Sequence, residues 1–129
     1  MANVPDDLRY TAEHEWIRRT SDPKVVEVGI TDYAQGELGD IVFVNLPKVG
    51  DTFTAHQAFG TIEAVKAVSD LYSPIAGTVA EVNTGLDTDP AAVNRDPYGE
   101  GWMIRLTVDS AAELESLMDA AAYRSHIGA

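Results

Sequence analysis

The stretch Gly60-Thr-Ile-Glu-Ala-Val-Lys-Ala-Val-Ser-Asp70 decides how the chain is read, because a lysine, Lys66, interrupts an apolar alternation that would otherwise continue as a β-strand. The only other lysines are Lys24 and Lys48. From Phe59 to Val82 the pattern is strand, tight turn, strand, a second tight turn at Ser73-Pro74 or Ala76-Gly77, and strand. Lys66 falls where the first hairpin turns. If Ile62, Ala64 and Lys66 share one side of the strand and Glu63, Val65 and Ala67 the other, alternation alone does not expose the amine; the turn must do so. No glycine occupies that turn. Read from the residues alone, an exposed lysine on an edge strand, discouraging edge-to-edge pairing, is the favoured explanation.

Working outward, period-2 segments include Val26, Val28 and Ile30, the run Ile41 to Leu46, Phe59 to Val65 and Thr78 to Asn83. The segment Trp102 to Val108 alternates, with Trp102, Ile104, Leu106 and Val108 on one face and Met103, Arg105 and Thr107 on the other. Short strands with frequent turns favour a small sandwich or barrel over a parallel sheet. Thr31 to Leu38 is predicted as a short helix capped by Thr31 or Asp32. A helix is predicted over about 110–124, because Ser110 and Glu113 have capping-box spacing and Leu114, Leu117, Met118 and Ala121 recur at helical intervals. A faint echo, Gly-x-(Ile/Val)-x-x-Val-Asn, links residues 39–45 with 77–83 and fits two similar β units around one core.

The 129 residues suit one domain, 1–129, able to bury roughly two-thirds of its unfolded surface without covalent staples. The formal charge of −12 opposes nucleic acid and anionic lipid, and attracts basic protein surfaces. With no cysteine the chain forms no disulfide, thiolate metal site or thiol nucleophile, so any sulfur redox chemistry must come from a cofactor. The start, Met-Ala-Asn-Val-Pro-Asp-Asp, has neither an apolar secretory core nor Arg-rich transit character, and no run reaches membrane-spanning length. A cytoplasmic location is the expectation. His14, His56 and His126 are too dispersed in sequence for a recognisable metal motif. Asp87-x-Asp89 opens like a calcium loop but meets Ala91 and Ala92 at the next ligand and turn-glycine positions. Neither a complete dinucleotide loop nor a nucleophile elbow is present.

The frame Phe59-Gly60, Glu63-x-Val65-Lys66-Ala67-x-Ser69-Asp70, Ser73-Pro74-Ile75-x-Gly77 and Glu81-Val82-Asn83 resembles the lipoylation hairpin of glycine cleavage system H proteins. The similarity spans nearly the whole chain. Its other landmarks are Tyr10-Thr11-x-x-His14-Glu15-Trp16, Gly29 to Gln35 leading into Leu38-Gly39-Asp40, and Asn94-x-Asp96-Pro97-Tyr98-x-x-Gly101-Trp102. A biotinyl domain typically flanks its lysine with methionines, whereas here the neighbours are Val65 and Ala67. Ala64 departs from the serine common in H proteins.

The resemblance implies a mainly β barrel-sandwich hybrid of the lipoyl/biotinyl-domain type, with short helices and a C-terminal helix, and a lipoyl hairpin at about 59–83. It implies lipoate joined by an amide to Lys66, with no catalysis by the chain itself. The implied partners are the pyridoxal-phosphate-dependent P protein, the tetrahydrofolate-dependent T protein, the flavoprotein L and a lipoate-attaching enzyme. A monomer suits such a shuttle. By resemblance Glu15 and Asp70, and less directly Glu13, lie near the aminomethyl-bearing arm, while Glu63 serves recognition of the hairpin. The bland alternatives are a turn-capping Asp70 and a solvated Glu15. An H-like protein donating lipoate to other enzymes fits the same motifs. A Schiff-base enzyme would need a desolvated lysine, and Glu63 and Asp70 oppose that.

Overall fold

The computed structural model describes residues 3–109 and 111–128, and among these nine short strands form, the longer ones mostly by alternation of apolar side chains. In chain order the elements are β1 (Arg9–Tyr10), β2 (Glu15–Arg19), β3 (Val25–Ile30), α1 (Asp32–Leu38), β4 (Ile41–Asn45), β5 (Thr52–Phe53), β6 (Ala58–Ala64), β7 (Val68–Tyr72) and β8 (Gly77–Val82). There follow α2 (Gly85–Thr88), α3 (Ala92–Arg95), β9 (Ile104–Thr107), a 3₁₀ helix (Ala111–Ser116) and α4 (Ala120–Ile127). Six strands form one antiparallel sheet in the order β1-β2-β3-β9-β8-β5, and three form a second in the order β4-β6-β7.

Inward-facing positions of both sheets meet in one core that includes Ile17, Val28, Val44, Ile62, Leu71 and Leu106. Each such side chain contributes about 1.5–3 kcal/mol through removal from water. The two sheets form the barrel-sandwich hybrid that the family resemblance implies. The internal echo falls on β4 and β8, one in each sheet, but its two glycines act differently. Gly39 closes α1 with φ of +80°, while Gly77 opens β8, where a Cβ would lie 2.8 Å from the Thr107 carbonyl oxygen. The predicted faces of the last strand hold for Ile104, Leu106 and Val108; Met103, expected opposite them, is also buried because it precedes β9 proper and enters the core.

The C-terminal segment requires a correction. The sequence predicts one helix over about 110–124, and the structure breaks it: Met118 exchanges backbone hydrogen bonds with Tyr10, which takes residues 117–119 out of helical register. Asp119 then caps α4 by accepting from the Ala122 amide. Ala120 and Tyr123 are the residues α4 buries, whereas Ala121 of the predicted stripe is exposed. The predicted cap at Ser110 lies outside the described residues.

Candidate functional site

The β6–β7 hairpin turns where the alternation predicts. Glu63 pairs with Val68, the Ala64 amide donates to the Ala67 carbonyl at 2.7 Å, and Val65-Lys66 form the tip. Neither tip residue has positive φ, so the turn is not of the glycine-demanding primed kind, which explains how it forms without glycine. A second bond fixes the tip to the body: the Val65 amide donates to the Asp40 carbonyl at 3.0 Å.

The loop Gly39–Ile41 that receives this bond is itself held by Asn94 on α3. The Asn94 side chain donates to the Gly39 carbonyl and to Gln35 Oε1, each at 2.9 Å, and accepts from the Ile41 amide at 2.9 Å. Gly39 provides more than its positive φ: a Cβ there would come within 3.3 Å of Lys66 Cε, so the lysine stem lies across the glycine. Thus α1, α3, β4 and the hairpin jointly set the root of an exposed amine.

Next to Gly39 in the chain, Glu37 and Leu38 line a cavity of about 190 Å³. Its walls carry apolar Ile30, Ala34, Ile62 and Leu71, and its acidic residues include Glu13, Glu15 and Asp70. The three carboxylates expected near the arm are therefore brought together. Glu63 is not among them; its register places it in a cross-strand row with Phe43 and Val68 on the outer face of the three-stranded sheet.

Glu15 is 1 % exposed and so is not a solvated strand residue. It accepts from Thr11 Oγ1 at 2.6 Å and, more weakly, from the Tyr72 amide at 3.4 Å. Burial nevertheless dominates and pushes its pKa up to about 7, because desolvation disfavours the charged form more than these two donors favour it. Glu13 stands at the exposed rim, 3.4 Å from His56 Nδ1. Asp70 is exposed and accepts a long bond, 3.4 Å, from the Tyr72 hydroxyl.

Glu15 faces inward because of the turn that precedes it. The His14 amide donates to the Thr11 carbonyl and the Thr11 amide to the Glu15 carbonyl, giving a three-residue hairpin loop, Ala12–His14, whose last residue has φ of +72°. A histidine in this left-handed region is strained. Its ring is held by the Tyr123 hydroxyl at 2.9 Å from Nδ1, and that hydroxyl also bonds Thr31 Oγ1 at 2.7 Å. Burial, and next the charge of nearby His126, lower the His14 pKa.

Thr11, His14 and Asn94 were not identified as site-building residues in the sequence, although each stands in one of the family landmarks. The available signal was Thr11, four residues before Glu15 and inside the same hairpin. Nothing in the linear pattern announces His14 as the left-handed residue, since glycine or asparagine is the usual occupant. His14 and His126 have ring centroids 5.6 Å apart. Among the described residues no group of three or more histidines and carboxylates is placed to hold a metal ion.

The fold and this site together define a class: a mainly β protein that displays one lysine on an anchored hairpin next to a small acid-lined cavity. The family model for the glycine cleavage H-protein matches residues 8–128. A glycine cleavage system H protein of Chlorobium limicola is 56 % identical over 126 residues, covering 98 % of each chain. One of Mycobacterium tuberculosis is 58 % identical over 130 residues, covering 96 % of each. A crystal structure of a glycine cleavage system H protein from Mycobacterium marinum superposes with a TM-score of 0.88 at 42 % identity, covering 98 % of this chain and 100 % of that one. The chain belongs to the glycine cleavage H-protein family.

Proposed function

We propose that the chain is a lipoyl carrier of glycine cleavage: one domain over residues 1–129, acting as a monomer in the cytoplasm, carrying the aminomethyl unit of glycine from the P protein to the T protein and being reoxidised by the L protein. It is a carrier and catalyses no step. Family membership supports the system, and one observation carries the chemistry: an exposed, anchored Lys66 at the tip of the hairpin whose Ile62, Asp70 and Leu71 line a cavity combining apolar walls with four carboxylates, Glu13, Glu15, Glu37 and Asp70. Among the described residues no helix is long and apolar enough to cross a membrane.

The donor set fits lipoate. Lys66 would hold it through an amide, Ile30, Ala34, Ile62 and Leu71 offer an apolar wall, and Glu13, Glu15 and Asp70 offer negative charge to a protonated amine. When attached, lipoate supplies a sulfur pair that takes up electrons and a one-carbon unit. The protein supplies the rest. A tether raises the effective concentration of its far end at each partner's active site. The bond from Val65 to Asp40 holds the tether's root in one place, so little ordering is needed when a partner docks.

Burial pushes the Glu15 pKa up to about 7, and a cation drawn alongside would favour its carboxylate form.

The test compares the lifetime of loaded protein in the parent with that in Glu15→Gln and Asp70→Asn. Both variants should lose cargo several-fold faster, with Glu15→Gln less sensitive to pH. Unchanged lifetimes would deny the carboxylates any part in holding the cargo. Support of glycine–bicarbonate exchange by the lipoylated parent separates a glycine-cleavage carrier from a lipoate relay.

A further inference from the structure

The outer face of the three-stranded sheet carries exposed apolar side chains at its hairpin end, while its next row, Asn45, Thr61 and Asp70, is polar. Register aligns Phe43 on β4, Glu63 on β6 and Val68 on β7 in one row, with Glu63 between two apolar neighbours. Phe43 is 47 % and Val68 66 % exposed, whereas Ile62 and Leu71, which alternate with this row, are buried. The pairing shifts between Ile41 and Phe43, and this irregularity turns Val42 outward as well, so two successive residues of β4 face solvent. Val65, on the turn next to Lys66, is 76 % exposed. Of the five exposed large apolar side chains among the described residues, four belong to this one sheet and its hairpin. Clustered exposure of this kind marks an interaction surface.

We propose that the hairpin end of this face is the docking surface for the enzyme that acylates Lys66, a partner presenting apolar side chains to Phe43 and Val68 with an arginine or lysine between them that meets Glu63. The proposal rests on the carrier reading of Lys66, with its implied lipoate-attaching enzyme and Glu63, and adds the apolar surface around Phe43 and Val68. Reach selects this partner over the others. Enzymes acting on the far end of a tether work well away from the backbone, whereas an enzyme forming a bond to Nζ must bring its reacting atoms within one side-chain length of the turn. It therefore covers Val65 and abuts the adjoining sheet face. Charge agrees, because Asp40 and Asp70 are exposed near the same hairpin and the chain carries a formal charge of −12. The step served joins Nζ to the carbonyl carbon of a lipoyl adenylate. The C–N bond forms as the acyl–phosphate bond breaks, AMP leaves, and Nζ gives up a proton.

The experiment measures steady-state acylation of the full chain by a purified lipoate ligase supplied with ATP and lipoate, comparing the parent, Phe43→Ser, Val68→Thr and the double variant. Both side chains are solvent-exposed, so thermal stability should be unchanged, and labelling of Lys66 by an N-hydroxysuccinimide ester of lipoate controls for access to the amine. The expected result is a KM for the acceptor protein raised about tenfold in the double variant, with kcat within twofold and chemical labelling unchanged. A KM within twofold of the parent overturns the surface while leaving the carrier reading intact. Failure of the parent to be acylated at Lys66 overturns both. If the variants, once loaded chemically, instead raise the KM for glycine–bicarbonate exchange, the face belongs to the decarboxylating partner and the assignment is wrong. A parent that sediments as a dimer, and variants that do not, would assign the face to a second copy of this chain and equally overturn the proposal.

Discussion

Two hairpin turns, built from similar numbers of residues, place charged side chains in opposite environments. At the β6–β7 turn, Val65-Lys66 adopt negative φ and leave Lys66 in water, with the tip tied back by a backbone bond to Asp40. At the β1–β2 turn, His14 is forced to φ of +72° and the next residue, Glu15, is buried with a pKa pushed up to about 7. The exposed amine sits on an unstrained, supported loop. The buried carboxylate sits beside strain, and the strained His14 is held from a distant helix through Tyr123.

The contrast breaks most completely at Lys66→Arg. Arginine keeps the charge and the exposed position, so stability should change by no more than about 0.5 kcal/mol. Acylation and glycine–bicarbonate exchange should fall to background, measured by intact mass and isotope exchange. A stability change of several kcal/mol would show that the lysine is structural.

The next largest effect is at the base of the same hairpin. A Cβ on Gly60 would lie 2.1 Å from the Asn45 carbonyl oxygen, a backbone atom that cannot swing aside. Gly60→Ala should cost about 3 kcal/mol in denaturant unfolding and slow acylation by loosening the β4–β6 pairing. An unaltered unfolding midpoint would mean that the irregular pairing near this residue accommodates the methyl.

Glu15 gives the opposite sign. Its folded pKa lies above its ordinary value, so between about pH 4.5 and 7 the folded state binds a proton that the unfolded state has released, and stability falls as pH rises across that window. Glu15→Gln removes this penalty. The variant should be more stable than the parent by about 2 kcal/mol at pH 8, the amide's poorer match to the Thr11 and Tyr72 donors offsetting part of the gain. The advantage should shrink to zero or reverse below about pH 4.5, measured by thermal unfolding against pH. A pH-independent difference would contradict the buried, near-neutral carboxyl.

The smallest effect distinguishes strain from side-chain bonding at His14. Both His14→Gly and His14→Ala lose the Tyr123 bond, but only glycine accepts φ of +72° without strain. Alanine should be about 1 kcal/mol less stable than glycine. Equal stabilities would mean that the loop relaxes to another conformation.

Much of this contrast was visible in the sequence on one side and hidden on the other. The lysine hairpin was legible because period-2 alternation through Ile62 and Ala64 stops at a residue that cannot be buried, and β3, β4 and β8 announced themselves in the same way. Strands β1 and β5, two residues each, are too short for any period and exist because neighbouring strands pair with them. The C-terminal helix was misplaced because Met118 fits a helical stripe while its backbone is committed to Tyr10, a long-range pairing that local spacing does not encode. Asp119 ahead of Ala-Ala-Ala-Tyr was a readable cap. Family resemblance singles out Glu13, Glu15 and Asp70; their convergence on one cavity is a product of the tertiary fold, as is the burial that shifts Glu15.

The most direct test of the central claim is intact-mass measurement and peptide mapping of the full chain produced with lipoate available, with the same sample then assayed for glycine–bicarbonate exchange. A carrier built on Lys66 predicts one lipoyl group per chain, confined to the peptide bearing that residue, and exchange that rises with the modified fraction. A lipoyl group on Lys24 or Lys48, or exchange that proceeds equally well with unmodified protein, would contradict it.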